Sequence, residues 1–435
     1  MNKRICIIGA GPSGITAIKN ILDEHLEVVA YDRNKDVGGN WIYNENESHS
    51  SVFETTHIIS SKTLSQYEDF TFDDFDKTVS DYPSHDELRR YFQAYAKKFD
   101  LYKVIQFETL VKHCELTNEK TWEVTIEQNG TTKKELFTDL IVCNGHHWEP
   151  RHPKYPGVFE GEYLHSHQFK KAEPFRDKKV LVIGAGNSAC DVAVETSRVS
   201  KKTMISWRRG YLILPKFLMG IPSDVFASRL RFLPVWLRNK ISDITIRFVT
   251  GSNEMYGLPK AKMKFGETHP TINSELLYKI RHGKVKPLKD IERFDGHTVH
   301  FKDGYSEAFD TVIACTGYIL RHPFFDKDFL DYSTGDVPLY LRMFHHQYKN
   351  LYFIGMFQPL GCIWPGAELQ SKIAARALAG KWQRPNNIEA LCKREITHPH
   401  IKQVKSPRHT ITVDYHKFMR DLKKQLKKKY VSKTV

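Results

Sequence analysis

Twice along the chain a short apolar run gives way to a glycine-punctuated turn and then to residues with helical periodicity. The first instance is Arg4–Ile8 followed by Gly9, Gly11 and Gly14; the second is Lys179–Ile183 followed by Gly184, Gly186 and Ala189. Another apolar run comes after each helix, at Val28–Tyr31 and at Thr203–Trp207. This pattern predicts a strand–helix–strand unit of the kind that holds a dinucleotide. The first glycine allows the tight turn, the second admits a pyrophosphate against the backbone, and the small third residue lets helix and strand pack closely. The helix N-terminus then offers the positive end of its dipole to the phosphates.

The remaining periodicities fill out an α/β architecture. Leu88, Tyr91, Phe92, Tyr95 and Phe99, at three- and four-residue spacing, predict a core-facing helix. Strands are expected at Leu110–Leu116 and Trp122–Gln128, joined by a polar turn, and at Asp139–Cys143, Asp310–Cys315 and Leu351–Ile354. A helix over Ala367–Ala379 carries Ile373, Ala374, Ala377 and Leu378 on one face. The simplest assembly is two Rossmann-like parallel-sheet domains, the second inserted into the first. Residues 1–155 and 310–400 form the first, 170–305 the second, and 401–435 a basic tail. Within the second, 211–280 is rich in Phe, Leu and Trp and is broken by Pro215, Pro222, Pro234 and Pro259, which predicts an irregular helical elaboration.

The two units differ where specificity is set. Asp32 stands 18 residues after Gly14, where a carboxylate accepts hydrogen bonds from the ribose hydroxyls of an adenosine cofactor. A step of 19 residues after Ala189 reaches Arg208, with Arg209 next. Guanidinium there suits a 2′-phosphate, and so NADPH over NADH, through a charge-assisted and often bidentate contact.

Charge and cysteine usage narrow the class. The net charge of +14 is concentrated: 11 Lys and Arg from residue 401 onward face only Asp414 and Asp421. That location, without interleaved aromatics, argues against nucleic-acid binding. It leaves a basic amphipathic helix over Phe418–Tyr430, with Met419, Leu422, Leu426 and Tyr430 on one side, as a candidate for peripheral membrane contact. The seven cysteines contain no C-x-x-C, which argues against a disulfide reductase and for free thiols in a reducing cytosol. No apolar run approaches the length of a membrane span, and the first strand begins too early for a secretory leader. The histidine clusters at 146–152, 165–167, 345–346 and 398–400 lack acidic or thiolate companions at ligand spacing, so no metal site is expected.

With these residues assembled, the chain resembles the flavin-containing monooxygenases over roughly residues 1–385. Phe159-x-Gly161-x-x-x-His165-x-x-x-Phe169 is similar to that family's identifying motif and lies between the two glycine turns. The FAD motifs are matched by Gly9-Ala10-Gly11-Pro12-Ser13-Gly14 and by Gly38-Gly39-Asn40-Trp41. The NADPH motif is matched by Gly184-Ala-Gly186-Asn187-Ser188-Ala189, with Asp191 just beyond. Thr316-Gly317-Tyr318 and Pro365-Gly-Ala-Glu-Leu-Gln370 match later motifs, and Gln358 falls in the stretch expected near FAD.

The resemblance implies that NADPH reduces FAD, that dioxygen forms a C4a-hydroperoxide on the flavin, and that this oxygenates an amine nitrogen or thioether sulfur. Insertion beside a ketone, as in Baeyer–Villiger relatives, and a non-oxygenating NADPH oxidase remain open, and a homodimer is expected. No acid–base dyad is required, and His165 and Phe169 are read as structural. One departure stands out. Many members carry an Asn before a Ser-Ser-Lys-like run, where its amide reaches the flavin peroxide. Here that run is Ile59-Ser60-Ser61-Lys62, so Ile59 replaces the amide, and Ser60 or Thr56 is the alternative donor.

Overall fold

The computed structural model describes residues 3–46, 49–230, 232–262, 271–333, 335–359, 361–401 and 410–428. The chain forms two units. The first is Met1–Ile42, Lys62–His146 and Ile319–Val435; the second is Tyr43–Ser61 and His147–Tyr318.

A seven-stranded sheet organises the first unit. Strand β1 (Arg4–Ile8) lies between β2 (Glu27–Tyr31) and β3 (Asp139–Val142), parallel to both, with Ile8 level with Tyr31 and with Val142. Helix α1 (Pro12–Asp23) makes the crossover from β1 to β2. Ile105–Gln106 extends the sheet beyond β2; Leu351–Phe353, Phe344–His345 and Leu339–Tyr340 extend it beyond β3. Ile5, Cys6, Ile7, Leu140 and Ile141 are fully buried, as a parallel sheet covered on both faces requires.

The predicted aromatic helix runs over His85–Lys98 and buries Leu88, Tyr91, Phe92 and Tyr95. Ser84 and Glu87 form a reciprocal capping box, and Lys97 and Lys98 oppose the negative end of the helix. The strands Thr109–Leu116 and Trp122–Gln128 pair antiparallel. A third strand, Thr131–Phe137, joins them and was not foreseen: four of its seven residues are polar and exposed at the sheet edge, so it carries no apolar alternation.

The second unit repeats the plan. Strand β4 (Lys179–Ile183) is flanked in parallel by β5 (Lys202–Ser206) and β6 (Thr311–Ala314), with Ile183 level with Ser206 and with Ala314. Helix α2 (Asn187–Val199) connects β4 to β5. Val285–Leu288 beside β5 and Glu162–His165 beside β6 complete five parallel strands.

Two assignments made from sequence differ from what is observed. The strand at 311–314 was placed in the first domain, yet it hydrogen-bonds to β4 and occupies the slot that β3 occupies beside β1. An apolar run of four residues states that it is a strand but not which sheet it joins. The segment Tyr43–Ser61, also read as part of the first domain, belongs to the second unit. The 211–280 region contains the expected helices, Ser223–Arg229, Val235–Thr250 and Leu276–Arg281. It also contains two short strand pairs, Ile213–Leu214 with Thr271–Ile272 and Phe217–Leu218 with Ile221–Pro222.

The tail helix spans Tyr415–Lys427; Lys429 and Tyr430 lie outside the described residues. Phe418 and Leu422 are buried, Phe418 against Phe357 at 4.7 Å between ring centroids. Arg376 of the helix Trp364–Leu378 donates to the carbonyl of Leu426 at 2.7 Å, and Lys423 pairs with Glu68 at 2.7 Å. Of the apolar stripe considered for membrane contact, Leu422 is buried and Met419 and Leu426 are half-buried, so part of it packs the tail onto its own unit.

Candidate functional site

In the first unit Gly11 caps α1 and Pro12 opens it, with Ser13 and Gly14 in its first turn. A Cβ on Gly14 would lie 1.9 Å from the carbonyl oxygen of Gly9, so only glycine lets the helix sit this close to the strand. The second glycine turn closes on the first. Gly39, Asn40 and Trp41 form a single 3-10 turn, and a Cβ on Gly39 would stand 2.9 Å from Cα of Gly11. The Trp41 indole meets Trp364 edge-on at 5.9 Å.

Asp32 sits at the end of β2, 5 % exposed, and bridges the same turn. Its Oδ2 accepts from Ala10 N at 2.6 Å and its Oδ1 from Asn34 N at 2.7 Å. Burial raises its pKa from the ordinary carboxylate value, and the two backbone donors oppose that rise. Gln358, in the short strand Gln358–Pro359 that pairs with Thr412–Val413, accepts at 3.2 Å from the buried imidazole of His146. Burial lowers the pKa of that imidazole, which keeps it neutral.

The second unit has the matching cradle. Gly186 caps α2, Asn187 and Ser188 open it, and Ala189 is buried against the strand. Arg208 and Arg209 are exposed directly after the buried Trp207 at the end of β5.

Both helices leave their N-termini open. Neither α1 nor α2 has a side-chain cap or an acidic residue in its first turn, a state shared by Val235–Thr250, Leu276–Arg281 and Trp364–Leu378; what sets α1 and α2 apart is the glycine turn each follows. Unpaired N–H groups at a glycine turn with no competing carboxylate suit a pyrophosphate. On this observation the residues present fit two dinucleotides.

Three residues that sequence reasoning missed lock the second cradle. Thr271 Oγ1 donates to the Ala185 carbonyl at 2.7 Å, Ile272 N donates to Asn187 Oδ1 at 2.7 Å, and Asn273 Nδ2 donates to Asp191 Oδ1 at 2.7 Å. Asp191, expected among the nucleotide contacts, is thereby a brace between α2 and the returning strand, and burial pushes its pKa up to about 6. No pattern in Thr271-Ile272-Asn273 announces this, because the partners are more than 80 residues away in the chain.

His165 ends its strand buried, its Nδ1 accepting from His167 N at 3.1 Å. Burial lowers its pKa to about 4. At physiological pH the imidazole is therefore neutral. Ile59 is half-buried and Ser60 buried, both on the segment held by the second unit. Among the described residues no helix is long and apolar enough to cross a membrane.

The comparisons with known proteins agree with this geometry. Flavin-containing monooxygenase 5 of Cavia porcellus is 35 % identical over 441 residues, covering 97 % of this chain and 82 % of the relative. Dimethylaniline monooxygenase [N-oxide-forming] 2 of Rattus norvegicus is 33 % identical over 412 residues, covering 89 % of this chain and 75 % of the relative. The structure of S-allyl-L-cysteine S-oxygenase from Allium sativum superposes with a TM-score of 0.72 at 22 % identity, covering 100 % of this chain and 90 % of that one. The model of the flavin-binding monooxygenase-like family matches residues 2–432, and the chain belongs to that family: it is an FAD- and NADPH-dependent monooxygenase.

Proposed function

We propose that this enzyme oxygenates soft nucleophiles of small molecules, an amine nitrogen or a thioether sulfur, with FAD held by the first unit and NADPH by the second. The observation that carries the division is the contrast between Asp32 after the first glycine turn and the Arg208–Arg209 pair after the second, each turn leading to an open helix N-terminus. In this reading Gly9–Gly14 and the Gly39–Trp41 turn take the FAD pyrophosphate. Asp32 both fixes the turn through Ala10 N and turns its remaining lone pairs toward the ribose. Gly184–Ala189 take the NADPH pyrophosphate, and Arg208, with Arg209 beside it, takes the 2′-phosphate.

Bound FAD supplies the activation of dioxygen, with electrons from NADPH. For a tertiary amine the reaction balances as one amine, one dioxygen, one NADPH and one proton giving one amine oxide, one NADP+ and one water. The protein's share is to bind, orient and exclude water, and no side-chain acid or base is needed for oxygen transfer to a lone pair. The N-oxide-forming and S-oxygenase relatives support this substrate class. Ile59, which offers no hydrogen-bond donor where the family usually has an amide, favours a second reading, oxygen insertion beside a ketone.

The test is NADPH oxidation by the FAD-loaded enzyme with a tertiary amine, a thioether and a cyclic ketone under 18O2. One labelled oxygen in an N-oxide or S-oxide is the expected product. A labelled ester or lactone alone would replace the first reading by the second. Stoichiometric hydrogen peroxide with none of the three oxygenated would make the enzyme an oxidase.

Cytoplasmic residence and a homodimer belong to the same proposal. Seven buried free thiols support a reducing compartment. An exposed apolar face at Trp236, Ile244 and Phe248, the last 89 % exposed, supports a further contact surface that sedimentation velocity would test as self-association. With Phe418 and Leu422 buried, any membrane contact of the tail is electrostatic. Vesicles containing anionic lipid should bind it only at low ionic strength.

A further inference from the structure

The residue after the family-like motif, Lys170, is 8 % exposed, and its ammonium has no carboxylate partner among the described residues. Its Nζ donates instead to two backbone carbonyls, Ser50 at 2.6 Å and Val52 at 3.5 Å. A buried ammonium is costly, and an apolar side chain of similar length would fill the space without that cost. What the ammonium adds is direction: both of its acceptors lie on one short stretch, so the lysine dictates where that stretch runs.

The neighbours of Lys170 grip the same stretch. Glu54 N donates to the Lys170 carbonyl at 2.8 Å. The Phe169 ring packs on Phe53 at 5.3 Å and on Phe175 at 5.5 Å. Ser51 Oγ hydrogen-bonds His167 Nδ1 at 3.0 Å and the carbonyl of His147. Phe53 N donates to Thr56 Oγ1 at 2.8 Å, which closes a turn beyond the grip. A second anchor lies at the far end, where Ser61 N donates to Asp224 Oδ2 at 2.6 Å. Ile59 and Ser60 lie between the anchors. The segment Tyr43–Ser61 therefore belongs to the unit with the Arg208–Arg209 cradle, although the chain on either side of it belongs to the other unit.

We infer that Lys170 is a positioning residue for oxygen transfer: through the Ser50 and Val52 carbonyls it fixes the 50–61 segment, and so Ile59 and Ser60, on the NADPH-binding unit. The inference rests on the reading that places Ile59 and Ser60 where the flavin reacts with oxygen. It assigns a physical task to the motif that ends at Phe169, which holds the strap that carries the oxygen-side residues.

The experiment compares Lys170→Met and Lys170→Arg with the parent, each as FAD-loaded full-length protein. Hydrogen exchange is read at Glu54 and Ser61 against Leu181–Ile183 in the sheet core. In Lys170→Met the Glu54 and Ser61 amides should exchange about tenfold faster or more, with the core amides unchanged. The fraction of NADPH electrons released as hydrogen peroxide should rise, while the rate of flavin reduction at saturating NADPH stays within about twofold. Lys170→Arg, which keeps a cationic donor, should recover most of both. Unchanged exchange at Glu54 and Ser61 would remove the positioning role. Faster exchange with unchanged peroxide yield would show that the strap is structural only. A parent enzyme that oxygenates nothing would overturn the proposed substrates, yet leave the exchange result to judge the strap. Should Lys170→Met fail to fold, Lys170→Gln takes its place: faster exchange at Glu54 and Ser61 with higher peroxide release supports the role, and unchanged exchange or unchanged peroxide release overturns it.

Discussion

Gly14→Ala isolates the demand the first cradle makes on its sequence. The added methyl would lie 1.9 Å from the Gly9 carbonyl oxygen and 2.8 Å from its carbon. Ordinary contact begins near 3.4 Å, so the helix must retreat from the turn by more than an ångström or the turn must open. Neither partner is a flexible side chain that could swing aside. Overpacking of this kind costs about 1–3 kcal/mol, and the displaced atoms are the N–H groups proposed to hold the FAD pyrophosphate. A loss of about 2–3 kcal/mol corresponds to a roughly 30- to 150-fold weaker FAD complex.

The second turn provides the control, because it already carries alanine at the matching position, and Ala189 is accommodated there. Ala189→Gly should cost no more than about 1 kcal/mol, the helix propensity difference, and leave NADPH affinity nearly unchanged. The assay is the flavin-to-protein absorbance ratio after desalting, with a thermal melt. Gly14→Ala that retains one FAD per chain and melts with the parent would refute the reasoning, since the close approach would then be dispensable.

Arg208→Ala should weaken NADPH by about 1.5–3 kcal/mol while leaving NADH almost unaffected, read as KM for each coenzyme; equal losses would transfer the role to Arg209. Ile59→Asn should lower the hydrogen peroxide released per NADPH by roughly threefold to tenfold, the worth of about one neutral hydrogen bond, and an unchanged or higher yield would point to Ser60 or Thr56 as the donor in use. Asp191, with its folded pKa raised to about 6, titrates below that value when unfolded. Its contribution to stability is therefore greatest below about pH 4 and is lost as pH rises through about 6. Asp191→Asn should thus gain on the parent by on the order of 1–2 kcal/mol at about pH 8 relative to about pH 4 in denaturant melts, and a gap that does not widen with pH would place the carboxylate's cost elsewhere.

The elements read directly from the chain are those whose physics is local. A run such as Ile5–Ile8 followed by Gly9, Gly11 and Gly14 admits few other structures, because tight turn, close helix packing and an uncapped N-terminus all depend on neighbouring residues. The 18-residue step to Asp32 and the 19-residue step to Arg208 are likewise lengths of one helix and one strand, so they placed candidate ribose and phosphate groups without reference to the rest of the fold. The aromatic helix observed over His85–Lys98 followed from the periodicity of its apolar stripe.

What the chain did not disclose are the choices among long-range partners. The apolar strand at 311–314 could have joined either sheet, and pairing with β4 decided it. Asp191 has a partner that nothing near it in the chain announces, because the strand returning at Thr271–Ile272 brings Asn273 against it. The tail's apolar stripe could face a membrane or its own unit, and the fold buries Leu422 beside Phe418, which meets Phe357. Above all, the segment carrying Ile59 and Ser60 is tied to the second unit by partners more than 100 residues later in the chain, among them Lys170 Nζ on the carbonyls of Ser50 and Val52 and Asp224 on Ser61 N. That the chain uses FAD and NADPH was legible in short windows of sequence; which unit carries Ile59 and Ser60 depended on hydrogen bonds between distant segments, and only the folded chain brings those donors and acceptors together.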